Sequence, residues 1–320
     1  MFRALLLCLT IIFSGAAWAQ AYPVKPIRVI VPYAPGGTTD VVARQVGERL
    51  SKALGQPLII DNRAGGNTAI GAEAVARSAP DGYTLLFTND ATFVLNPLLF
   101  PTLPYNVAKD FAPVATVTYV ALALAVNGNL PVKNMKELVA YTKAKPGSLA
   151  YGSFGLGSQP HLMGELYKKL TGADLVHVPY KGAGPAVTDL LGEQILFTFP
   201  AFPTIQGHLK TGKLKVLAVS GDKRVPLAPE VPTFAEAGYK DMDIGAWYAF
   251  LAPANTPRDI VDKLNASVRA LLDDRDFVEK NMTSQGMVAM PMSPAQFAAH
   301  IKSETERMAR VVKLSGAQVE

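Results

Sequence analysis

IRVIVPYAPGGTTD, residues 27–40, joins a strand to a helix through a glycine-rich loop. Ile27 to Val31 is a β-branched run that Pro32 ends, which predicts a strand. Apolar residues at every fourth position after the loop predict a helix over residues 40–54, ended by Gly55. The stretch therefore predicts one strand–loop–helix unit of an α/β fold.

The loop within this stretch is a candidate anion site. Its residues, Pro35 to Asp40, lie where a helix begins, and the free N–H groups and positive dipole end of a helix attract a carboxylate or phosphate. A structural role is also open, in which Thr38 or Thr39 caps the helix and Asp40 lies in its first turn. No Gly-Lys-Ser/Thr follows, so the loop is not a nucleotide P-loop.

The same alternation continues along the chain and predicts parallel sheets with crossover helices. Strands are predicted at 27–31, 58–60, 83–87, 149–151, 175–178, 195–199 and 215–219. Helices are predicted at 40–54, 68–77, around Val139, and at 160–170, 185–191, 257–272 and 294–313.

Two long β-prone runs suggest two lobes. Val114 to Val126 is suited to cross from one lobe to the other, and Ile244 to Leu251 to return. The alternative is that both are ordinary buried strands. The crossing interpretation predicts a discontinuous first lobe of residues 20–120 and 248–320, and a second lobe of residues 121–247.

The N-terminus predicts export. Arg3 precedes an apolar run over residues 4–13, and Ala17-Trp18-Ala19 has the small-x-small pattern of a signal-peptide cleavage site. The run is too short to span a bilayer. Cleavage after Ala19, at the end of a signal peptide of residues 1–19, removes the single cysteine, Cys8, so a disulfide framework is excluded and a periplasmic product is expected.

Charge and composition exclude several functions. The chain has 31 basic and 26 acidic residues, interspersed without a basic block, so no nucleic-acid partner is predicted. The four histidines lack metal-ligand spacing, and Ser153 lacks the surroundings of a nucleophile elbow. We expect no enzyme activity, no metal and no cofactor.

Three further loops follow predicted strands. Residues 151–161 contain three glycines, with Ser158 as the expected cap, but Pro160 stands where a dinucleotide fingerprint needs glycine. Residues 178–185 carry Lys181, suited either to the ligand or to the surface, and residues 88–90 form the last loop. Ligands bind outside the carboxyl ends of parallel strands, so the loops predict a cleft for a small anion.

In these loops the sequence resembles the Bug/TctC family, the extracytoplasmic solute-binding proteins of tripartite tricarboxylate transporters. The resemblance covers the mature chain and is carried by residues 30–40, 61–66, 80–86, 152–161, 178–182, 212–214 and 251–253. It implies a two-lobed periplasmic-binding-protein fold of the Venus-flytrap type, which binds a carboxylate between its α/β lobes. It also implies delivery to the large and small membrane subunits of a permease.

The resemblance implies that the loops at 33–40 and 153–161 hold the carboxylate, partly through main-chain amides and ordered water. Pro200 stands where the family often has an aspartate suited to a ligand ammonium, which argues against an amino acid. The candidate ligand-binding residues are Tyr33, Gly37, Thr38, Asp40, Thr88, Asp90, Ser153, Phe154, Gly157, Ser158, His161, Tyr180, Lys181, Phe199 and Phe202.

Aromatic residues near the expected cleft favour a flat ligand, such as terephthalate or benzoate, over an aliphatic dicarboxylate. They are Phe93, Phe154, Phe199, Phe202, Trp247 and Tyr248. The alternative is that these rings belong to the core. We expect a monomer that transports an organic acid; the alternative is a sensor that presents the acid to a signalling receptor.

Overall fold

The computed structural model describes residues 22–317, which form a mixed α/β protein with two sheets. The predicted signal peptide, residues 1–19, lies outside the described residues. The six-stranded sheet and the helices packed on it are called the first lobe below, and the five-stranded sheet and its helices the second lobe.

The first sheet has the order β11-β4-β10-β3-β1-β2. Its strands are β1 (Ile27–Val31), β2 (Leu58–Asn62), β3 (Thr84–Asn89), β4 (Phe111–Val120), β10 (Ala246–Pro253) and β11 (Met287–Ala289). β1 runs parallel to β2 and β3, whereas β10 is antiparallel to β3 and β4. All eight residues of β10 are buried, as expected for an apolar strand in the middle of a covered sheet.

The second sheet has the order β7-β6-β8-β5-β9. Its strands are β5 (Ala123–Asn127), β6 (Ala150–Ser153), β7 (Val176–Pro179), β8 (Phe197–Thr198) and β9 (Leu214–Val219). β6 is parallel to β7 and β8, and β5 is antiparallel to β8 and β9.

Helices cover both sheets. They are α1 (Thr38–Leu54), α2 (Ala69–Ala76), α3 (Asn96–Leu99), α4 (Val107–Asp110), α5 (Met135–Lys143), α6 (Gln159–Thr171), α7 (Ala183–Leu191), α8 (Phe202–Lys210), α9 (Arg258–Asp273), α10 (Arg275–Asn281) and α11 (Pro294–Ser315). A π-helical turn spans Ala91–Leu95. α11 packs on β4 of the first lobe and on α6 of the second, so it ties the lobes together at one side.

The chain passes from the first sheet to the second at Ala121 and Leu122, between β4 and β5. It returns after β9 and enters the first sheet as β10. The predicted parallel pairing is present among β1, β2 and β3 and among β6, β7 and β8. β5 and β10 were not predicted to run antiparallel to their neighbours; they do so because a chain that crosses between the sheets meets β8 and β3 from the opposite direction. The lobe boundaries at 120/121 and 247/248 stay a prediction.

Most predicted helices and strands are present, and their ends differ from the predicted ones by no more than two residues. The strand predicted at 195–199 is shorter, because β8 pairs over two residues only. The π-helical turn, α3, α4, α8, α10 and β11 were not predicted; each spans nine residues or fewer, which is too few for apolar periodicity to identify it.

Candidate functional site

A cavity of about 520 Å3, its open mouth included, lies between the two lobes. We call it the cleft cavity. The first lobe contributes Tyr33, Ala34, Pro35, Gly37, Thr38, Thr39, Asn89, Ala246 and Tyr248. The second lobe and the crossing contribute Leu122, Phe154, Gln159, Pro160, Gly182, Ala183, Gly184, Pro185 and Ala201.

Four helices begin at this cavity: α1, α6, α7 and α8. Their N-cap residues are Gly37, Ser158, Gly182 and Ala201, and none of these four caps accepts a hydrogen bond from its helix through a side chain. The first N–H groups of a helix have no partner within it and carry a partial positive charge. Because these ends are left uncapped by side chains, their free amides can bind an anion. The starts of α6 and α8 offer fewer such amides, because Pro160 and Pro203 have no N–H.

The start of α1 differs from the expected capping. Gly37, rather than Thr38 or Thr39, is the N-cap residue, and both threonines lie within the helix. The hydroxyl of Thr38 instead lies 2.9 Å from that of Thr204 on α8, in the other lobe. Thr38 therefore lines the cavity and also contacts the opposite lobe.

No charged side chain lines the cleft cavity as formed by residues 22–317. Asp40, a predicted ligand residue, is engaged away from it with Arg44, the Gly36 amide and Asn62. Burial alone would raise the pKa of Asp40, but these hydrogen bonds outweigh it and hold the pKa below the ordinary value. Asp40 thus stabilises the loop at residues 35–40 from the side that faces away from the cavity.

Neutral polar groups line the wall formed by the first lobe. The Tyr33 hydroxyl donates to Asn89 Oδ1 at 2.7 Å. Burial raises the pKa values of Tyr33 and Tyr248 well above the ordinary value, so both remain protonated phenols. Asn89 belongs to the predicted loop 88–90 and Tyr248 to the predicted rings near the cleft, although neither was a candidate ligand-binding residue. Their place on the wall depends on β3 and β10 being neighbours.

Asp90 lies just behind the wall and is 2% exposed. Its Oδ1 accepts from Gln159 Nε2 across the cleft at 2.7 Å and from the Trp247 amide at 3.2 Å. Burial raises the pKa of Asp90 to about 7, opposed by these two hydrogen bonds. Asp90 does not line the cavity; it joins the lobes through Gln159, which does.

The predicted second loop is held by its own hydrogen bonds. Ser153 Oγ lies 2.6 Å from His177 Nε2, and Ser158 Oγ donates to the Gly155 carbonyl at 2.7 Å. The Gly157 amide donates to His161 Nδ1 at 3.0 Å. Burial lowers the pKa of His177 to about 4 and also lowers that of His161. None of Ser153, Gly157, Ser158 or His161 lines the cleft cavity; they shape the loop that presents Phe154 and Gln159.

Most of the predicted rings lie in the core. Phe199 and Phe202 are fully or almost fully buried away from the cavity wall, and Phe93 packs against Trp247 at a centroid distance of 4.7 Å. Thr88 is also buried, with its hydroxyl 2.6 Å from that of Thr92. These residues therefore lie away from the cavity wall, and their role as ligand contacts stays a prediction.

Of the predicted ligand residues, the structure brings together Tyr33, Gly37, Thr38 and Phe154 on the cavity wall; their binding role stays a prediction. Tyr180 and Lys181 line a neighbouring cavity. Sequence reasoning missed Gln159, Ala201 and Thr204. Gln159 directly follows the expected cap Ser158, so its place at a helix start was a signal that could have found it.

Within residues 22–317, no helix is both long and apolar enough to cross a membrane. The His, Cys, Asp and Glu side chains of the same residues form no group of three suited to a metal ion.

The fold and the cleft are those of a periplasmic binding protein. The structure superposes on the periplasmic binding protein BugD with a TM-score of 0.88 and 34% identity, covering 93% of this chain and all of BugD. The family described as "Tripartite tricarboxylate transporter family receptor" (TctC) matches residues 42–317. The chain belongs to this family, whose members are solute-binding proteins rather than enzymes.

Three other similar proteins extend this comparison. BugT of Bordetella pertussis is 40% identical over 302 residues, 94% of this chain and 92% of BugT. Rpa4515 of R. palustris with adipate has a TM-score of 0.90 and 35% identity, covering 93% of this chain and 100% of that one. MatC of Rhodopseudomonas palustris with bound malate has a TM-score of 0.86 and 34% identity, covering 91% and 100%.

Proposed function

We propose that this protein binds a small organic carboxylate without an amino group in the cleft cavity. The observation that carries the proposal is a cavity with four helix N-termini and no charged side chain among its lining residues. Main-chain amides at helix starts bind carboxylates. A ligand ammonium would have no carboxylate partner there, and burying an unpaired charge is unfavourable.

The ligand body contacts mainly apolar and aromatic surface. Tyr33, Phe154 and Tyr248 supply the three rings of the wall, and such faces favour a planar or apolar ligand. We retain an aromatic carboxylate such as terephthalate or benzoate as the first choice and an aliphatic dicarboxylate as the second. The similar structures hold adipate and malate, which supports a carboxylate in either case.

A thermal-shift panel tests the ligand class. It contains terephthalate, benzoate, adipate, malate, citrate, aspartate and glutamate. We expect stabilisation by acids without an amino group, because a ligand that binds only the folded state raises the melting temperature. Stabilisation by aspartate or glutamate alone would contradict the proposal.

We further propose that the exported protein acts as a periplasmic monomer and delivers its ligand to the large and small membrane subunits of a tripartite tricarboxylate-type permease. Membership of the TctC family supports this role. Uptake of the labelled ligand should require this protein together with both subunits. Ligand-dependent signalling in their absence would instead favour the sensor.

A further inference from the structure

A second cavity adjoins the cleft cavity, and we call it the side cavity. It measures about 1150 Å3 with its open mouth included. Tyr33 and Phe154 belong to the walls of both cavities, so they mark the junction between them. A ligand that extends beyond the cleft cavity at this junction enters the side cavity.

Both lobes build the side cavity. The first lobe supplies residues 64–69 together with Phe100 and Leu103, and the second supplies residues 154–156 and 179–181. An occupant of this space contacts both lobes, so it contributes to lobe closure as well as to ligand selection.

One charged residue, Lys181, lines a side cavity whose other wall residues are apolar or neutral. Lys181 forms no ion pair with any other residue of the described range. The neighbouring Tyr180 is held in place by its hydroxyl, which donates to Asp189 Oδ2 at 2.7 Å. The wall therefore combines a positioned ring with a solvent-exposed ammonium that pairs with no carboxylate of residues 22–317.

The serine hydroxyls of the loop at residues 153–161 are not free to bind a second anionic group of the ligand. Ser153 and Ser158 already hydrogen-bond within the loop and to His177. In the proposed function the first carboxylate binds at the helix starts of the cleft cavity. An anionic group at the far end of a ligand then finds its complementary charge at Lys181.

We propose that the side cavity is a second anion subsite, in which Lys181 pairs with an anionic group at the far end of an elongated ligand. This inference rests on the proposed function, since the near carboxylate remains in the cleft cavity. The ligand class is a dianion whose two ends are separated by an apolar body long enough to pass between Tyr33 and Phe154. Lys181 is a specificity-determining residue for that class.

Calorimetry with matched acids tests the subsite. Two pairs of acids are compared. Adipate and hexanoate have the same chain length, and terephthalate and benzoate have the same ring. Within each pair, the first acid has one more carboxylate than the second. In the wild type we expect the dianion to bind about five-fold more tightly or better, with an advantage that shrinks as salt is added. Lys181→Met and Lys181→Gln should remove this advantage and leave the monoacid affinity unchanged.

Lys136→Met is the matched control, because Lys136 is an exposed lysine on α5 of the same lobe and lines neither cavity. It should leave both affinities unchanged. If monoacids and diacids bind but Lys181→Met keeps the diacid advantage, the second subsite is overturned while the proposed function stands. If no carboxylate binds the wild type, the proposed function fails, and the subsite with it.

Discussion

Replacing Thr38 by valine removes one hydroxyl from the wall of the cleft cavity and nearly preserves the shape of the side chain. That hydroxyl has two uses in this account: it bonds Thr204 of the other lobe at 2.9 Å and stands beside the α1 amides where the carboxylate binds. A hydrogen bond between neutral groups contributes about 0.5–1.5 kcal/mol, and one to a charged group about 1.5–3 kcal/mol.

A variant of Thr204 distinguishes the two roles of the Thr38 hydroxyl. Thr204 takes part in the contact across the cleft but does not line the cavity. We expect Thr204→Val to weaken binding about two- to ten-fold, and Thr38→Val about ten- to a hundred-fold. The double variant should bind about as weakly as Thr38→Val alone, because the shared bond is already lost.

The assay is calorimetry with the best acid of the panel, beside thermal melting of each variant. Equal losses in Thr38→Val and Thr204→Val would show that the Thr38 hydroxyl only joins the lobes. Unchanged affinity in a normally melting Thr38→Val would refute its role in the site.

Three further results are expected. Burial raises the pKa of Asp90 to about 7 from an ordinary 3.8; since the folded value lies above the unfolded one, the free energy of unfolding should fall between about pH 4 and pH 7. Asp90→Asn should remove on the order of 4 kcal/mol of that fall in urea titrations, and parallel pH profiles would contradict this. Ligand should reduce the radius of gyration in X-ray scattering as the lobes close, and identical free and saturated profiles would argue against closure. A Cβ at Gly157 (φ +78°) would lie 3.1 Å from Asn67 and from two apolar side chains of the first lobe, so Gly157→Ala should weaken binding about ten-fold, whereas Gly212→Ala (φ +71°), which meets nothing within 4 Å, should not.

The fold was largely predictable because its units are local. The strand at Ile27–Val31, the glycine loop and the helix from Thr38 are each encoded by residue spacing over a few turns or strand repeats. The antiparallel placement of β10 was not predictable in this way. This placement depends on the chain leaving the first sheet and returning to it, and the residue pattern of a short segment does not show such a crossing.

The site was predictable at the level of loops and less so for individual side chains. The loops after β1, β6 and β7 do line the cleft, but Ser153, Ser158 and His161 bond to their own loop. Asn89 and Gln159 lie in predicted loops, but their contacts with the Tyr33 and Asp90 side chains depend on tertiary structure. The sequence does not distinguish an aromatic residue that faces a ligand from one that lies in the core, such as Phe199, because both environments favour large apolar side chains.

A crystal structure of the protein saturated with the strongest acid of the panel tests the central claim most directly. We predict a carboxylate in the cleft cavity, with oxygens about 2.7–3.2 Å from main-chain amides at the helix starts beside Gly37 and Gly182, and no lysine or arginine bound to that carboxylate. A cleft-cavity carboxylate held by a basic side chain, or an acid with no carboxylate in the cleft cavity, would contradict this prediction.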